Sequence, residues 1–219
     1  MNFKQARKAM VESQLMPNGI TNRLLLDTFL NISRESFFPE PYKSTCYKDE
    51  NITLPDGRII IEPLGIAKLI EAANISKKEV VLCMGDISGY SSAIVSHLAS
   101  TVIRIEQDAH ALVFSESIYK ELGIMNIVSI EGAIAHGDAR HAPFDKIILC
   151  GASHKQPDHL IEQLSYGGAL CYIHKENPLS LGEIRKVTRK NAQDIEITTI
   201  GTSPIPYCVG YEPIKEFSF

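Results

Sequence analysis

A nearly continuous apolar run, Val80-Val81-Leu82-Cys83-Met84, ends at Gly85 and passes through the polar turn Asp86-Ile87-Ser88-Gly89. It re-emerges at Tyr90 with Ala93, Ile94 and Leu98 at helical spacing. This pattern describes a strand buried on both faces, a tight loop and a helix N-terminus. Such a loop turns backbone N–H groups and the positive end of a helix dipole toward the carboxyl edge of a parallel sheet, where α/β proteins hold nucleotide-like ligands. Glycine is required there wherever φ is positive or a Cβ would block the ligand.

A second short strand follows the helix, Thr101-Val102-Ile103-Arg104-Ile105-Glu106, and ends in an acid about twenty residues beyond the glycine loop. Neighbouring strands of a βαβ unit place that carboxylate where it accepts hydrogen bonds from both hydroxyls of a ribose. The alternative is a solvated acid at a strand end. The loop upstream favours the ribose role.

The chain of 219 residues is 44% hydrophobic, enough for one sizeable core. We expect a single domain over residues 1–219, with a helical and lid segment over 1–75 and a cofactor-binding α/β core over 76–219. A net charge of −4 supplies no basic field for nucleic acid, and the run Arg185-Lys186-Val187-Thr188-Arg189-Lys190 reads as a solvated face. The cysteines, Cys46, Cys83, Cys150, Cys171 and Cys208, form no CxxC pair, and Cys83, Cys150 and Cys171 lie in apolar runs. They read as core residues of a reducing compartment. No leader and no membrane-length apolar stretch is evident, so the expectation is a soluble, cytoplasmic protein without a membrane partner. No heptad or long apolar edge is evident either, which leaves a monomer as the default.

Phe3, Ala6, Met10, Val11 and Leu15 recur at helical spacing up to the break at Pro17-Asn18-Gly19, and Thr21 is a candidate N-cap for a second helix through Leu30. Residues 33–40 form a packed connection. The turn Pro55-Asp56-Gly57-Arg58 before Ile59-Ile60-Ile61 predicts a small hairpin or lid outside the main sheet, and Pro63 opens a helix. Beyond Glu106 the pattern alternates. A helix covers residues 109–122, strands 127–131 and 144–150, a helix 157–164 and a strand 167–173, which predicts a parallel sheet wrapped on both faces. Residues 195–200 and 207–209 read as antiparallel edge structure.

These motifs together resemble the protein-L-isoaspartate O-methyltransferase family. The similar stretches are Met10-Val11-Glu12-Ser13-Gln14-Leu15 with Gly19-Ile20, Arg34-Glu35-Ser36-Phe37-Phe38-Pro39, Tyr47-Lys48-Asp49, the glycine loop with Gly89-Tyr90, Glu106, Pro143-Phe144-Asp145-Lys146-Ile147-Ile148, and residues 157–168. The resemblance implies a doubly wound, mostly parallel α/β sheet of the Rossmann-like methyltransferase type, with N-terminal helices and an antiparallel C-terminal edge. It implies S-adenosyl-L-methionine as cofactor, S-adenosyl-L-homocysteine as product, and peptides or proteins containing isoaspartate as substrates. Gly85, Asp86, Ser88 and Gly89, followed by Tyr90, would line the methionine part of the cofactor. Glu106 would take the ribose hydroxyls, with Gln107 beside the adenine and Gly132-Ala133 against its edge.

The departures are specific. Ile87 stands where the family usually carries a third glycine, so the loop either holds a different backbone or turns Ile87 away. Ala133 replaces an acid that would accept from the adenine amino group. In the catalytic substrate loop, Ile61 stands at the position of the family's Ser or Thr, and Glu62 directly precedes Pro63. A second anion near an isoaspartyl carboxylate repels it, unless Glu62 points to solvent or caps the helix. Tyr47 and Asp49 either touch a substrate or hold their turn.

Methyl transfer to a carboxylate needs no general base, because the acceptor is already ionised. Cys150 with His154, and His136 with His141, lack further ligands for a metal site. Three readings remain: an isoaspartyl methyltransferase, a methyltransferase of the same fold with another acceptor, and a cofactor-binding protein without turnover. A dehydrogenase with a degenerate glycine fingerprint is disfavoured by the absence of Gly-x-Gly-x-x-Gly spacing.

Overall fold

The computed structural model describes residues 2–214. At its N-terminus, helix α1 (Phe3–Met10) continues through one wider turn (Val11–Leu15) and a 3₁₀ turn (Met16–Asn18), which Gly19 ends at φ +91°. Helix α2 (Arg23–Asn31) is capped by Asn22, whose side chain accepts from the Leu25 N–H. The expected cap, Thr21, is instead engaged outward, its N–H and hydroxyl donating to Glu71. Two 3₁₀ turns, Arg34–Phe37 and Glu40–Tyr42, make the packed connection. A hairpin of β1 (Ile52–Thr53) and β2 (Ile59–Ile60) precedes α3 (Pro63–Ala73), with Pro63 in its first turn.

The main sheet has β3 (Val80–Met84) near its middle. The chain then runs through α4 (Tyr90–Ser96), β4 (Thr101–Glu106), α5 (Ala109–Glu121), β5 (Ile127–Glu131), β6 (Phe144–Ser153), α6 (Asp158–Ile161), β7 (Leu164–His174), β8 (Gly182–Arg189) and β9 (Ile195–Ser203). The strand order is β5-β4-β3-β6-β7-β8-β9, parallel from β5 to β7 and antiparallel from β7 to β9. Alternate residues of β3 feed opposite faces. Val81 and Cys83 join the core formed with α1, α2, α3 and α4, while Leu82 and Met84 join a second core with Phe144, Leu160 and Tyr172. A sheet buried on both sides explains why β3 reads as an unbroken apolar run.

The run Arg185–Lys190 lies mostly on strand β8, with Ile184 and Val187 buried and the charged side chains between them partly exposed. Two sequence expectations change here. Helix α6 spans only Asp158–Ile161, because Leu164 already pairs with Phe144 in the sheet. Residues 207–209 form no antiparallel edge strand. Pro204 and Pro206 remove ladder donors, and the segment instead lies along the end of β6, where Tyr207 makes an isolated parallel bridge to Ala152. All five cysteines are buried and unpaired, and no helix among the described residues is long and apolar enough to cross a membrane.

Candidate active site

The glycine loop is built from two left-handed glycines, Gly85 at φ +72° and Gly89 at φ +82°. Ile87 is not in that region of backbone space, so the loop turns at its two ends and tolerates a β-branched residue between them. Ile87 borders the cavity above the loop rather than turning away from it. The loop's polar side chains are spent on its own shape. Asp86 accepts from the Ser92 N–H at 2.7 Å, and Ser88 accepts from the Tyr90 N–H. Tyr119 donates to the Gly89 carbonyl, and a Cβ on Gly89 would lie 2.4 Å from that hydroxyl oxygen.

Arg104 holds the loop from below. Fully buried on β4, it donates to the Asp86 carbonyl through Nε and Nη2, to the Ile87 carbonyl at 3.2 Å and to the Ser115 hydroxyl at 2.9 Å. The sequence reading did not single it out. Its signal is a cation at an interior position of an otherwise apolar strand, which demands such a set of acceptors.

At the tip of β4, Glu106 is 1% exposed. Its Oε1 accepts from the N–H groups of Gln107 and Asp108, whereas Oε2 is buried without any partner among the described residues. Burial raises its carboxyl above the usual range, against the opposing pull of the Asp108 N–H, Arg104 and Arg58. A buried carboxylate oxygen without a donor is costly, and Oε2 is such an atom. Gly132 is tied to the same tip, its N–H donating to the Glu106 carbonyl, while Gln107 and Ala133 are exposed beside it.

A cavity of about 310 Å³ lies above the loop, bordered by Gly85, Ile87 and Cys150 below, Arg58, Ile59 and Ile61 from the hairpin, and Ile205, Cys208 and Glu212 from the C-terminal segment. That segment approaches closely because Gly151 has no side chain, since a Cβ there would sit 2.6 Å from the Cβ of Cys208. Cys208 fills similar space over Gly85, its sulfur 2.6 Å from where a Cβ would project. Of the expected cofactor residues only Gly85 borders this cavity; Asp86, Ser88, Gly89, Glu106, Gln107, Gly132 and Ala133 do not, and Glu106 is reached from it through Arg58, whose Nη1 lies 4.0 Å from Oε1. A dipole-lined loop with a strand-tip acid nearby is an arrangement that can hold a nucleoside with an amino-acid tail.

The sequence model of the protein-L-isoaspartate(D-aspartate) O-methyltransferases matches residues 5–203. The chain belongs to this family. The protein-L-isoaspartate O-methyltransferase of Koribacter versatilis (strain Ellin345) is 31% identical over 218 residues, covering 97% of this chain and 96% of that one. The one from Geobacter metallireducens (strain ATCC 53774 / DSM 7210 / GS-15) is 34% identical over 172 residues, covering 78% and 79%. Among solved structures, a Plasmodium falciparum protein described as a putative protein-L-isoaspartate O-methyltransferase in complex with S-adenosyl-L-homocysteine superimposes with a TM-score of 0.75 at 19% identity. That match covers 96% of this chain and 99% of the other. Another protein-L-isoaspartate O-methyltransferase gives a TM-score of 0.75 at 20% identity over 92% of this chain and 65% of its own length. At these identities the two structures establish the shared fold.

The remaining candidates for a methyltransferase site divide. Tyr90 is fully buried under α4, edge-on to Phe29 at 6.1 Å and Phe37 at 5.6 Å, with the Arg34 guanidinium 4.8 Å from its ring centre. It packs the loop's helix into the core and does not border the cavity. The Tyr47 hydroxyl donates to Glu35 and accepts from Arg7 and the Arg34 N–H, which gives it a buried role in the N-terminal segment. Asp49 is exposed. Ile61 borders the cavity and its carbonyl accepts from Arg34.

Glu62 neither reaches solvent nor caps its helix. It is 6% exposed and makes no capping hydrogen bond, while its own N–H donates to Asn51. Burial, with a smaller push from Asp49, raises its carboxyl. Glu62 is absent from the cavity lining.

Proposed function

We propose that this chain is an S-adenosyl-L-methionine-dependent O-methyltransferase that esterifies isoaspartyl carboxylates in damaged proteins. The observation that carries the site assignment is the partnerless buried Oε2 of Glu106 at the tip of β4, beside the glycine loop. In this reading Glu106 holds the ribose hydroxyls and Gly85, Asp86, Ser88 and Gly89 face the methionine portion through the loop backbone. Gln107, Gly132 and Ala133 lie along the adenine. When bound, the cofactor supplies a methyl group on a sulfonium. The protein's part is to place an ionised carboxylate in line with it and to exclude water. No residue need remove a proton. Ile59, Ile61 and Ile205 give that side of the cavity an apolar wall, where desolvation strengthens the acceptor's attack.

We place the whole unit in one chain. In this reading the helical and lid segment over 1–75 and the α/β core over 76–219 act as one unit and a monomer; in support, Met10, Leu25, Phe29 and Ile66 share one core with Val81 and Cys83. Five buried thiols suit a reducing compartment such as the cytoplasm. Peptides and proteins carrying isoaspartate are the partners, with neither nucleic acid nor membrane. A second reading, the same transfer to another carboxylate or hydroxyl, is favoured by two observations: Ile61 offers the cavity no hydroxyl, and Glu212 adds an acid to its lining.

Incubating purified protein with methyl-labelled S-adenosyl-L-methionine and an isoaspartyl peptide tests this. Base-labile methyl ester that depends on the isoaspartyl linkage is the expected result. Label found only on other acceptors, as methyl ester on a carboxylate or methyl ether on a hydroxyl, supports the second reading. No labelled product on any acceptor contradicts both.

A further inference from the structure

The hairpin tip carries a cation that the function proposed above does not use. Leu54-Pro55-Asp56-Gly57-Arg58 closes the β1–β2 turn, with Gly57 at φ +85° and the Leu54 N–H donating to the Arg58 carbonyl. Asp56 shapes the tip from within, accepting from the Arg58 N–H at 3.0 Å and from Nε at 2.8 Å. The Arg58 guanidinium then crosses to the core. Nη2 lies 2.7 Å from Oδ2 of Asp108, the residue that caps α5, and Nη1 lies 4.0 Å from Oε1 of Glu106. Gly57 and Arg58 both border the cavity.

The approach to Glu106 is one-sided. Arg58 stands beside the oxygen already engaged by two backbone N–H groups, and the partnerless Oε2 is left free. The guanidinium therefore leaves the hydrogen-bonding capacity of the buried Oε2 unused. Asp108 is suited to both its tasks because it uses separate oxygens: Oδ1 accepts from the N–H groups of His110 and Ala111 and Oδ2 takes the guanidinium.

We infer that Arg58 is a positioning residue that clasps the hairpin over the ribose site. It joins Asp56 on the lid to Asp108 at the cap of α5, and this ion bridge sets how fast a bound nucleoside escapes. The inference rests on the reading of Glu106 as the ribose acid. Its strength comes from a partly shielded guanidinium–carboxylate contact, Nη2 to Oδ2 of Asp108, so it weakens with ionic strength.

The test measures dissociation of S-adenosyl-L-homocysteine by stopped-flow at low and high salt, and amide hydrogen exchange of residues 54–60 without ligand. Arg58→Gln is expected to raise the dissociation rate by about tenfold, the size expected for a lost charge-assisted hydrogen bond. Asp108→Asn, which keeps a capping oxygen, should do the same. The double variant should be no faster than either single one, and Arg58→Lys should recover part of the effect. Wild-type dissociation should accelerate with salt and that of Arg58→Gln should not. The hairpin amides should exchange faster in both single variants.

Unchanged rates and exchange in Arg58→Gln, or tighter binding in it, overturn the clasp. If the wild type fails to bind the nucleoside, the cofactor reading falls and exchange alone decides whether the clasp holds the hairpin.

Discussion

At the residue scale, one acid could be read from sequence and another could not. The strand-tip position of Glu106 was legible because the apolar run of β4 ends there, one strand beyond the glycine loop. Glu62 was not, because its surroundings come from residues distant in sequence: Asn51, Asp49 and the packing of α3. Arg58 and Arg104 escaped for a similar reason, as their partners are carbonyls and acids brought together only by folding. The buried state of Glu62 has a consequence for stability. Its folded-state carboxyl sits above the unfolded value because burial opposes the charge, with Asp49 adding to the shift, so the native protein holds this proton more tightly than the unfolded chain. The stabilising contribution is therefore full below the unfolded value of about 4.3 and is lost as pH rises through the folded value. Glu62→Gln, with no proton to lose, should melt above wild type near about pH 8, with the gap closing toward about pH 4. A melting difference that does not vary with pH would count against this account.

At the element scale, the parallel core was legible and the edges were not. Strands β3, β4, β6 and β7 announce themselves as apolar runs because both faces are covered over most of their length, whereas β8 buries one face and carries Arg185, Lys186 and Arg189 in between, so its charges mask its pattern. The segment after β9 looked strand-like through Tyr207-Cys208-Val209, yet its prolines confine it to the single bridge at Ala152. The glycine loop was found by its glycines, and its geometry sets their relative cost. Gly89 combines φ +82° with a Cβ position 2.4 Å from the Tyr119 hydroxyl and 2.7 Å from the Ser115 Cβ, while Gly123 has φ +68° with nothing within 4 Å. Gly123→Ala therefore carries backbone strain alone, about 1 kcal/mol, and Gly89→Ala adds a steric clash, for a loss of about 3 kcal/mol or more. Urea denaturation of the two variants checks this ordering. Equal midpoints would mean that the α4 loop yields more readily than its contacts with α5 imply.

At the scale of the whole molecule, the fold places three independent walls around one cavity: the loop on β3, the hairpin ahead of α3, and the segment beyond β9. The family's sheet supplies the first wall. The other two carry this chain's particular residues, with Ile61 and Arg58 on the hairpin and Cys208 and Glu212 on the C-terminal side. Their convergence could not be anticipated from a linear reading, since about 150 residues separate Arg58 from Cys208. The central claim is that the crest of this sheet binds a sulfonium nucleoside through a single acid at its sugar. Titration calorimetry of S-adenosyl-L-homocysteine into wild type and Glu106→Ala tests it most directly. The account predicts binding to the wild type and a loss of about 1–3 kcal/mol in the variant, with unchanged circular dichroism. Equal dissociation constants, or a wild type that does not bind, would contradict it.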